Sequence, residues 1–429
     1  MGTEKTNKGL METTVFEKYE SNVRSYCRKY PTVFTKAKGS ILTDQTGKEY
    51  IDFLCGAGAC NYGHNNDYIK SKVIEYLQSD GLIHGLDMYS AAKAEFIETL
   101  ENKILIPRGF NYKILFPGPT GTNAVEAALK IARKVKGRSH MLALMGGFHG
   151  MSLGSLAVTT ERVARDACGV HLSDVTHVPH PAIFKNFDTI DYIETILNND
   201  HSGVDKPAGI IIESVQGEGG INVLPAQWLK DIRALCDRHD MLLIADEIQS
   251  DCGRCGAFFS FERAGIQPDI VVMAKSIGGI GLPAAITLVK PEYDVLQPGE
   301  HNGTFRGFQP SFIAGKAAID YFVKEHIDEM AVRKGEIIAK FLSEHIPLIN
   351  SEIECRGLGV MWGIDMRDYP LGTTQAIRKK CFENGLILEL SGSEDTVIKI
   401  MPAITIDEET LVKGLEIVYK SVKEIIQTL

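Results

Sequence analysis

The sequence has no apolar run near the ~18 residues that a membrane-spanning helix needs, so no membrane span is expected. It has no long basic run either, and its formal net charge is −9. A chain of that balance does not suit a phosphate backbone, so nucleic acid is not an expected partner. Nine cysteines are scattered without a framework through 429 residues. Free thiols in a reducing cytoplasm are the expectation. The one close pair, Cys252 and Cys255, has no second pair to complete a zinc tetrahedron, so no metal site is expected; a redox dithiol is the other reading of its spacing. The opening MGTEKTNKG lacks the apolar stretch of a signal peptide. Its Met-Gly-x-x-x-Thr start fits an N-myristoylation pattern, which is short enough to arise by chance in a frayed start.

What is present points to an α/β protein. Residues 241–245 and 270–274 are short apolar runs, and they end at Asp246-Glu247 and at Lys275. Such runs read as buried strands of a parallel sheet. Ligands of open α/β sheets bind beyond the carboxyl ends of the strands, so the acid and the lysine face one crevice. That arrangement suits a nitrogen-bearing cofactor gripped at both ends.

The same alternation runs along the chain. A hairpin is expected around the turn at 45–47, and helices over most of 66–104 with a break at 81–89. A short strand at 113–116 leads into PGPTGTNAVEAALKIARKVKG, whose apolar residues repeat at helical spacing. Gly121 or Thr122 is expected at that helix's cap, with free N–H groups suited to an anion such as phosphate. The run lacks the lysine of a nucleotide-binding loop and the glycine spacing of a dinucleotide fold. Strands at 141–145 and 208–213 end in GGFHG and in SVQGEGG, which offer Phe148, His149, Glu213 and Glu218 to the same crevice. Strand-helix-strand alternation implies a mostly parallel central sheet. The last 75 residues or so read as a separate α/β lobe joined by the N-terminal hairpin. The expected organisation is an arm and hairpin (1–65) belonging to a small domain, a large domain (66–325) and the rest of the small domain (326–429).

In order, LTDQTGKEYIDF, GTNAVEAALKIAR, GGFHG, ESVQGEGG, IADEIQ, GRCG, AKSIGG and NGTFRG resemble the class III aminotransferases, enzymes of pyridoxal 5′-phosphate with fold type I. The resemblance covers nearly the whole chain. GPTGTNAVEAALK and KSIGGIGLPAAITLVKPE are similar to the group that transfers the terminal amine of L-2,4-diaminobutyrate to 2-oxoglutarate. The implied products are L-aspartate 4-semialdehyde and L-glutamate, formed in a ping-pong cycle. Ornithine, 4-aminobutyrate or a polyamine is the alternative donor; a non-catalytic ligand-binding relative is a further alternative.

The resemblance also assigns roles. Lys275 is the lysine that condenses with the cofactor aldehyde and shuttles a proton, and Asp246 the partner of the pyridine nitrogen. Gly121 and Thr122 take the phosphate, Phe148 stacks on the ring, and His149 and Glu213 line its pocket. Gln249 bonds the ring oxygen. Thr304 reaches the phosphate of a neighbouring subunit, which implies a homodimer with shared sites. Glu218 is the gate that pairs with a cation and swings away for a substrate carboxylate. That cation is an arginine in relatives, whereas the matching residue here is Lys399, which lacks the planar fork.

Overall fold

The computed structural model describes residues 13–429; the opening MGTEKTNKG and its acylation pattern lie outside the described residues. Seven strands form the central sheet, in the order Lys113–Leu115, Ala285–Val289, Ile270–Ala274, Leu242–Asp246, Gly209–Ile212, Met141–Leu144, Val175–Val178. Ala285–Val289 runs antiparallel to both its neighbours, and the other pairings are parallel. The inner strands GIII, LLIAD, IVVMA and AITLV are buried at every position. That is the signature of a sheet covered on both faces.

Alternate residues of each strand serve the two faces. Ile211, Ile244 and Val272 pack with Val125, Ala128 and Leu129 of the helix Gly121–Lys136. Their neighbours Ile212, Leu243 and Val271 join the larger core with Leu229 and Ile232 of the helix Ala226–Arg238. Three layers result, with Asp246 closing one strand and Lys275 just beyond the adjacent one.

The expected cap of Gly121–Lys136 is corrected by one residue. Thr120 is the N-cap, in extended conformation, and Gly121 is already helical. The Thr120 hydroxyl donates to Asn123 Oδ1 (2.6 Å) rather than capping the backbone. The N–H groups of Gly121 and Thr122 take no hydrogen-bond partner among the described residues.

A second, antiparallel sheet orders Glu354–Leu358, Met361–Asp365, Val397–Ile400 and Glu389–Ser391. The N-terminal strands Phe34–Lys38, Ile41–Asp44 and Glu49–Asp52 form a third, completed by Leu386–Ile387. The run from 386 to 391 therefore enters two sheets in succession. Its second half sets Glu389 directly opposite Lys399.

Arg254, in the CGRCG turn, ties these parts to the central sheet. It is fully buried. Its Nη1 donates to the carbonyls of Val360 and Pro402, and its Nη2 to Asn61 Oδ1 and the Cys55 thiol. Cys252 and Cys255 beside it are buried free thiols, and burial pushes both upward in pKa, away from reactive thiolate.

Candidate active site

Beyond the carboxyl ends of the central strands lies a cavity of about 350 Å³. Gly121, Thr122, Phe148, His149, Glu213, Glu218, Asp246, Gln249 and Lys275 all line it. Thr304 and Lys399 do not: Thr304 is exposed on its own surface, and Lys399 lies behind Glu218.

Asp246 is buried at the strand end, where the next residues turn back. Its Oδ1 accepts the Ile248 N–H (3.1 Å) and its Oδ2 meets His149 Nδ1 at 2.7 Å. Burial works against protonation of His149, but the hydrogen bond and charge of Asp246 outweigh it and raise the imidazole. Glu213 pins two loops, accepting from the N–H of Phe148 (2.9 Å) and of Gly217 (3.2 Å). Burial pushes the Glu213 carboxyl up to about 7, against His149 and with help from Asp246.

Lys275 follows the strand Ile270–Ala274 with φ of +53°, a left-handed conformation that a side-chain-bearing residue adopts only when its surroundings impose it. Ser276 beside it supplies that constraint, donating to the Gly58 carbonyl (2.7 Å) and accepting the Asn61 N–H (3.2 Å). Desolvation lowers the Lys275 ammonium and Glu218 partly offsets it, so the amine gives up its proton more readily than an exposed lysine.

Gln249 donates from Nε2 to the Ala57 carbonyl (3.0 Å) and to Glu218 Oε1 (3.1 Å), while its buried Oε1 has no partner. A side chain at position 217 would place its Cβ 1.6 Å from that oxygen, so the glycine of QGEGG is what admits Gln249. Position 150 is equally constrained: φ is +124° and a Cβ would stand 2.6 Å from Thr122 Oγ1. The glycine lets GGFHG close onto the helix start.

Glu218 accepts from Lys399 Nζ at 2.7 Å, and Lys399 also meets Glu389 Oε2 at 3.2 Å. Against the cost of burial, Lys399 and then Lys275 bring the Glu218 carboxyl down to about 2. Desolvation opposes the Lys399 charge, but the two glutamates raise its pKa overall.

Several participants were not singled out from the sequence. Ser152 and Ser155 fix the Thr122 hydroxyl at 2.6 and 2.5 Å, and Glu126 accepts from Ser152 in turn. Glu389 and Tyr26, whose hydroxyl bonds Glu389 Oε1, extend the charged cluster behind Glu218. The one available signal for Glu389 was an acid inside the apolar run LILELS, just as Lys399 interrupts VIKIMP.

A strand-end acid, a buried lysine and a helix N-terminus around one cavity define a cofactor-dependent enzyme of the α/β type. The chain belongs to the class III aminotransferases: the family described as "Aminotransferase class-III" matches residues 24–422. It is similar to the "Diaminobutyrate--2-oxoglutarate transaminase" of Sporosarcina pasteurii, 49% identical over 415 residues, 96% of this chain and 97% of that one. The protein of the same description from Nocardia farcinica is 50% identical over 414 residues, 95% of this chain and 93% of that one. Among solved structures, an S-selective transaminase from Arthrobacter sp. shares the fold with a TM-score of 0.86 at 22% identity, covering 96% of this chain and 98% of that one.

The cofactor is pyridoxal 5′-phosphate, and the residues present fit it. The unpaired Gln249 Oε1 is a buried polar atom in need of a partner. The free N–H groups of Gly121 and Thr122 suit a phosphate dianion, and the buried Asp246 carboxylate suits a protonated ring nitrogen.

Proposed function

We propose that this enzyme transfers the terminal amino group of L-2,4-diaminobutyrate to 2-oxoglutarate, giving L-aspartate 4-semialdehyde and L-glutamate. The observation that carries the reading is the near-full-length identity of 48–50% to several proteins described as diaminobutyrate–2-oxoglutarate transaminases. A cavity walled by both a carboxylate and a lysine amine agrees with it. We take the enzyme to be cytoplasmic; among the described residues no helix is long and apolar enough to cross a membrane.

In this reading Gly121 and Thr122 hold the phosphate, Asp246 the ring nitrogen, Gln249 the ring oxygen and Phe148 the ring face. The cofactor supplies an aldehyde that takes up an amino group and a ring that withdraws the electron pair left at the substrate carbon. Lys275 would be the catalytic base: its desolvated amine lines the cavity and would take the proton from that carbon and hold it at Nζ. His149 holds the Asp246 carboxylate in place. Glu218 faces the substrate, and Lys399 stands behind it as the cation available to a substrate carboxylate once Glu218 moves.

We further infer a homodimer in which Thr304 completes the partner's phosphate site. Thr304 is exposed, and Phe305 beside it is 63% exposed. The adjoining run 82–89 exposes Leu82, Ile83, Leu86, Met88 and Tyr89, and it is tied to the Thr304 segment by the Gly85 N–H donating to the Gly307 carbonyl and the Gln309 N–H donating to the Ile83 carbonyl. An apolar strip of this kind is suited to a second copy.

The test is a half-reaction screen of the purified holoenzyme, following cofactor absorbance with diaminobutyrate, ornithine and 4-aminobutyrate. Diaminobutyrate reacts fastest; a preference for ornithine sinks the assignment. Lys275→Ala abolishes steady turnover, and retained turnover refutes the role given to that residue.

A further inference from the structure

Behind the cavity, Lys399 stands between two carboxylates where one would neutralise it. It is fully buried, with Glu218 Oε1 at 2.7 Å and Glu389 Oε2 at 3.2 Å. The two carboxylates differ in freedom. Glu389 is buried on a strand directly opposite Lys399. Its other oxygen accepts the Tyr26 hydroxyl, and the preceding residue's carbonyl, that of Leu388, accepts the Tyr30 hydroxyl. Both tyrosines come from one short stretch, Tyr26–Lys29 and the residue after it, so the segment bearing Glu389 is held at consecutive residues. Glu218 instead sits in the loop after the strand Val215–Gln216, lines the cavity and keeps 29% of its side chain exposed. Its Oε1 takes Lys399 and Gln249, while its Oε2 has no hydrogen bond among the described residues.

We propose that Glu389 is a specificity-determining residue: as a fixed counterion of Lys399 it leaves Glu218 with a surplus negative charge for the second ammonium group of a diamine donor. The proposal rests on the diamine reading above. One ammonium between two carboxylates leaves the cluster one negative charge in excess, and the unpaired Glu218 Oε2 is where that excess meets the cavity. The α-ammonium of diaminobutyrate meets a carboxylate oxygen there, with the carboxylate borne on the same carbon turned away from Glu218. A dicarboxylate must displace Glu218, and behind it finds Lys399 already neutralised by Glu389. One buried residue therefore favours the diamine and weakens the dicarboxylate. Lys275 also faces the cluster and is raised by both Glu218 and Glu389, so the part of the Glu389 charge that acts through Lys275 bears on both substrates alike and does not separate them.

The test uses holoenzyme with Glu389→Gln, which keeps the side-chain shape and an oxygen for Tyr26. Diaminobutyrate and L-glutamate are each titrated against the same aldehyde form of the enzyme, and half-saturation is read from cofactor absorbance. The diaminobutyrate half-saturation rises about tenfold and that of glutamate falls by a similar factor, the order for one charge acting over roughly 10–12 Å at an effective dielectric near 20. A merely structural role moves both constants the same way or lowers only the rates, and either outcome overturns the proposal. Tyr26→Phe, which loosens Glu389 without removing it, moves the two constants in opposite directions as Glu389→Gln does, and serves should the glutamine variant fold poorly. The wild-type titration separates the two layers: if ornithine reacts in place of diaminobutyrate, the substrate assignment falls and the opposed shifts are read with ornithine. A wild type that accepts no diamine overturns both.

Discussion

Replacing Lys399 with leucine removes the one cation between two carboxylates and should reverse how the protein's stability depends on pH in the acid range. In the wild type the Glu218 carboxyl is held at about 2, because Lys399 and Lys275 overcome the desolvation that would raise it. A carboxyl depressed from an ordinary value near 4.5 contributes stability that is fully present above that value and is lost as pH falls towards 2. The shift corresponds to about 3 kcal/mol at most, since each pKa unit is about 1.4 kcal/mol. In Lys399→Leu, Glu218 and the buried Glu389 face each other with no ammonium between them. Removing one member of a buried ion pair costs about 3–5 kcal/mol. The pair relieves the repulsion by holding a proton, which raises a native-state carboxyl above its unfolded value. The variant then loses stability as pH rises through and above about 4.5, where the wild type no longer changes on account of Glu218. Thermal midpoints from about pH 2 to 8 at fixed cofactor concentration read both curves, and a second substitution, Glu218→Gln, restores most of the loss near neutrality. A Lys399→Leu profile parallel to the wild type would refute the charge assignment.

Three further outcomes follow from the site. Asp246→Asn removes the buried charge that holds His149 and that we propose for the ring nitrogen, and should lower the first-order half-reaction rate by about 10²–10³, measured by stopped-flow absorbance. Arg254→Lys keeps the charge but loses the fork that reaches the Val360 and Pro402 carbonyls and the Asn61 oxygen, so unfolding should become easier by about 3–5 kcal/mol; an unchanged thermal midpoint contradicts the staple. Glu213 is pushed up to about 7 by burial, so its contribution to stability falls as pH rises from about 4.5 through 7. Glu213→Gln should flatten that part of the profile by about 3 kcal/mol at most, and a slope identical to wild type argues against a buried protonated Glu213.

The central sheet was legible because its strands are apolar at every position and end in chemistry: LLIAD in Asp246, IVVMA just before Lys275. Periodicity carried the helix Gly121–Lys136 equally well, but its first residue was missed by one, because the Thr120 hydroxyl turns to Asn123 instead of the backbone. The cavity-lining residues came from motifs in which acids and aromatics follow buried strands. Glu389 and Tyr26 were not legible, because their meeting depends on 386–391 crossing from one sheet to another and on a short segment far away in sequence docking there. Arg254 entered only within the GRCG motif, since nothing local says that its partners lie near residues 55, 61, 360 and 402. Thr304 lies outside the cavity of its own chain, and the role proposed for it depends on a second copy.

Arg254 also constrains how this enzyme moves. Four chain segments share one guanidinium that has no access to water, so swinging the C-terminal sheet away from the crevice would strand a charge among carbonyls that water does not replace. The walls of the crevice are thus one stiff body rather than two plates on a hinge. Compliance is left to side chains at its lining, Glu218 foremost, so substrates of different length are accommodated by torsion of a few bonds. A crosslink between the two sheets should therefore leave the turnover rate untouched.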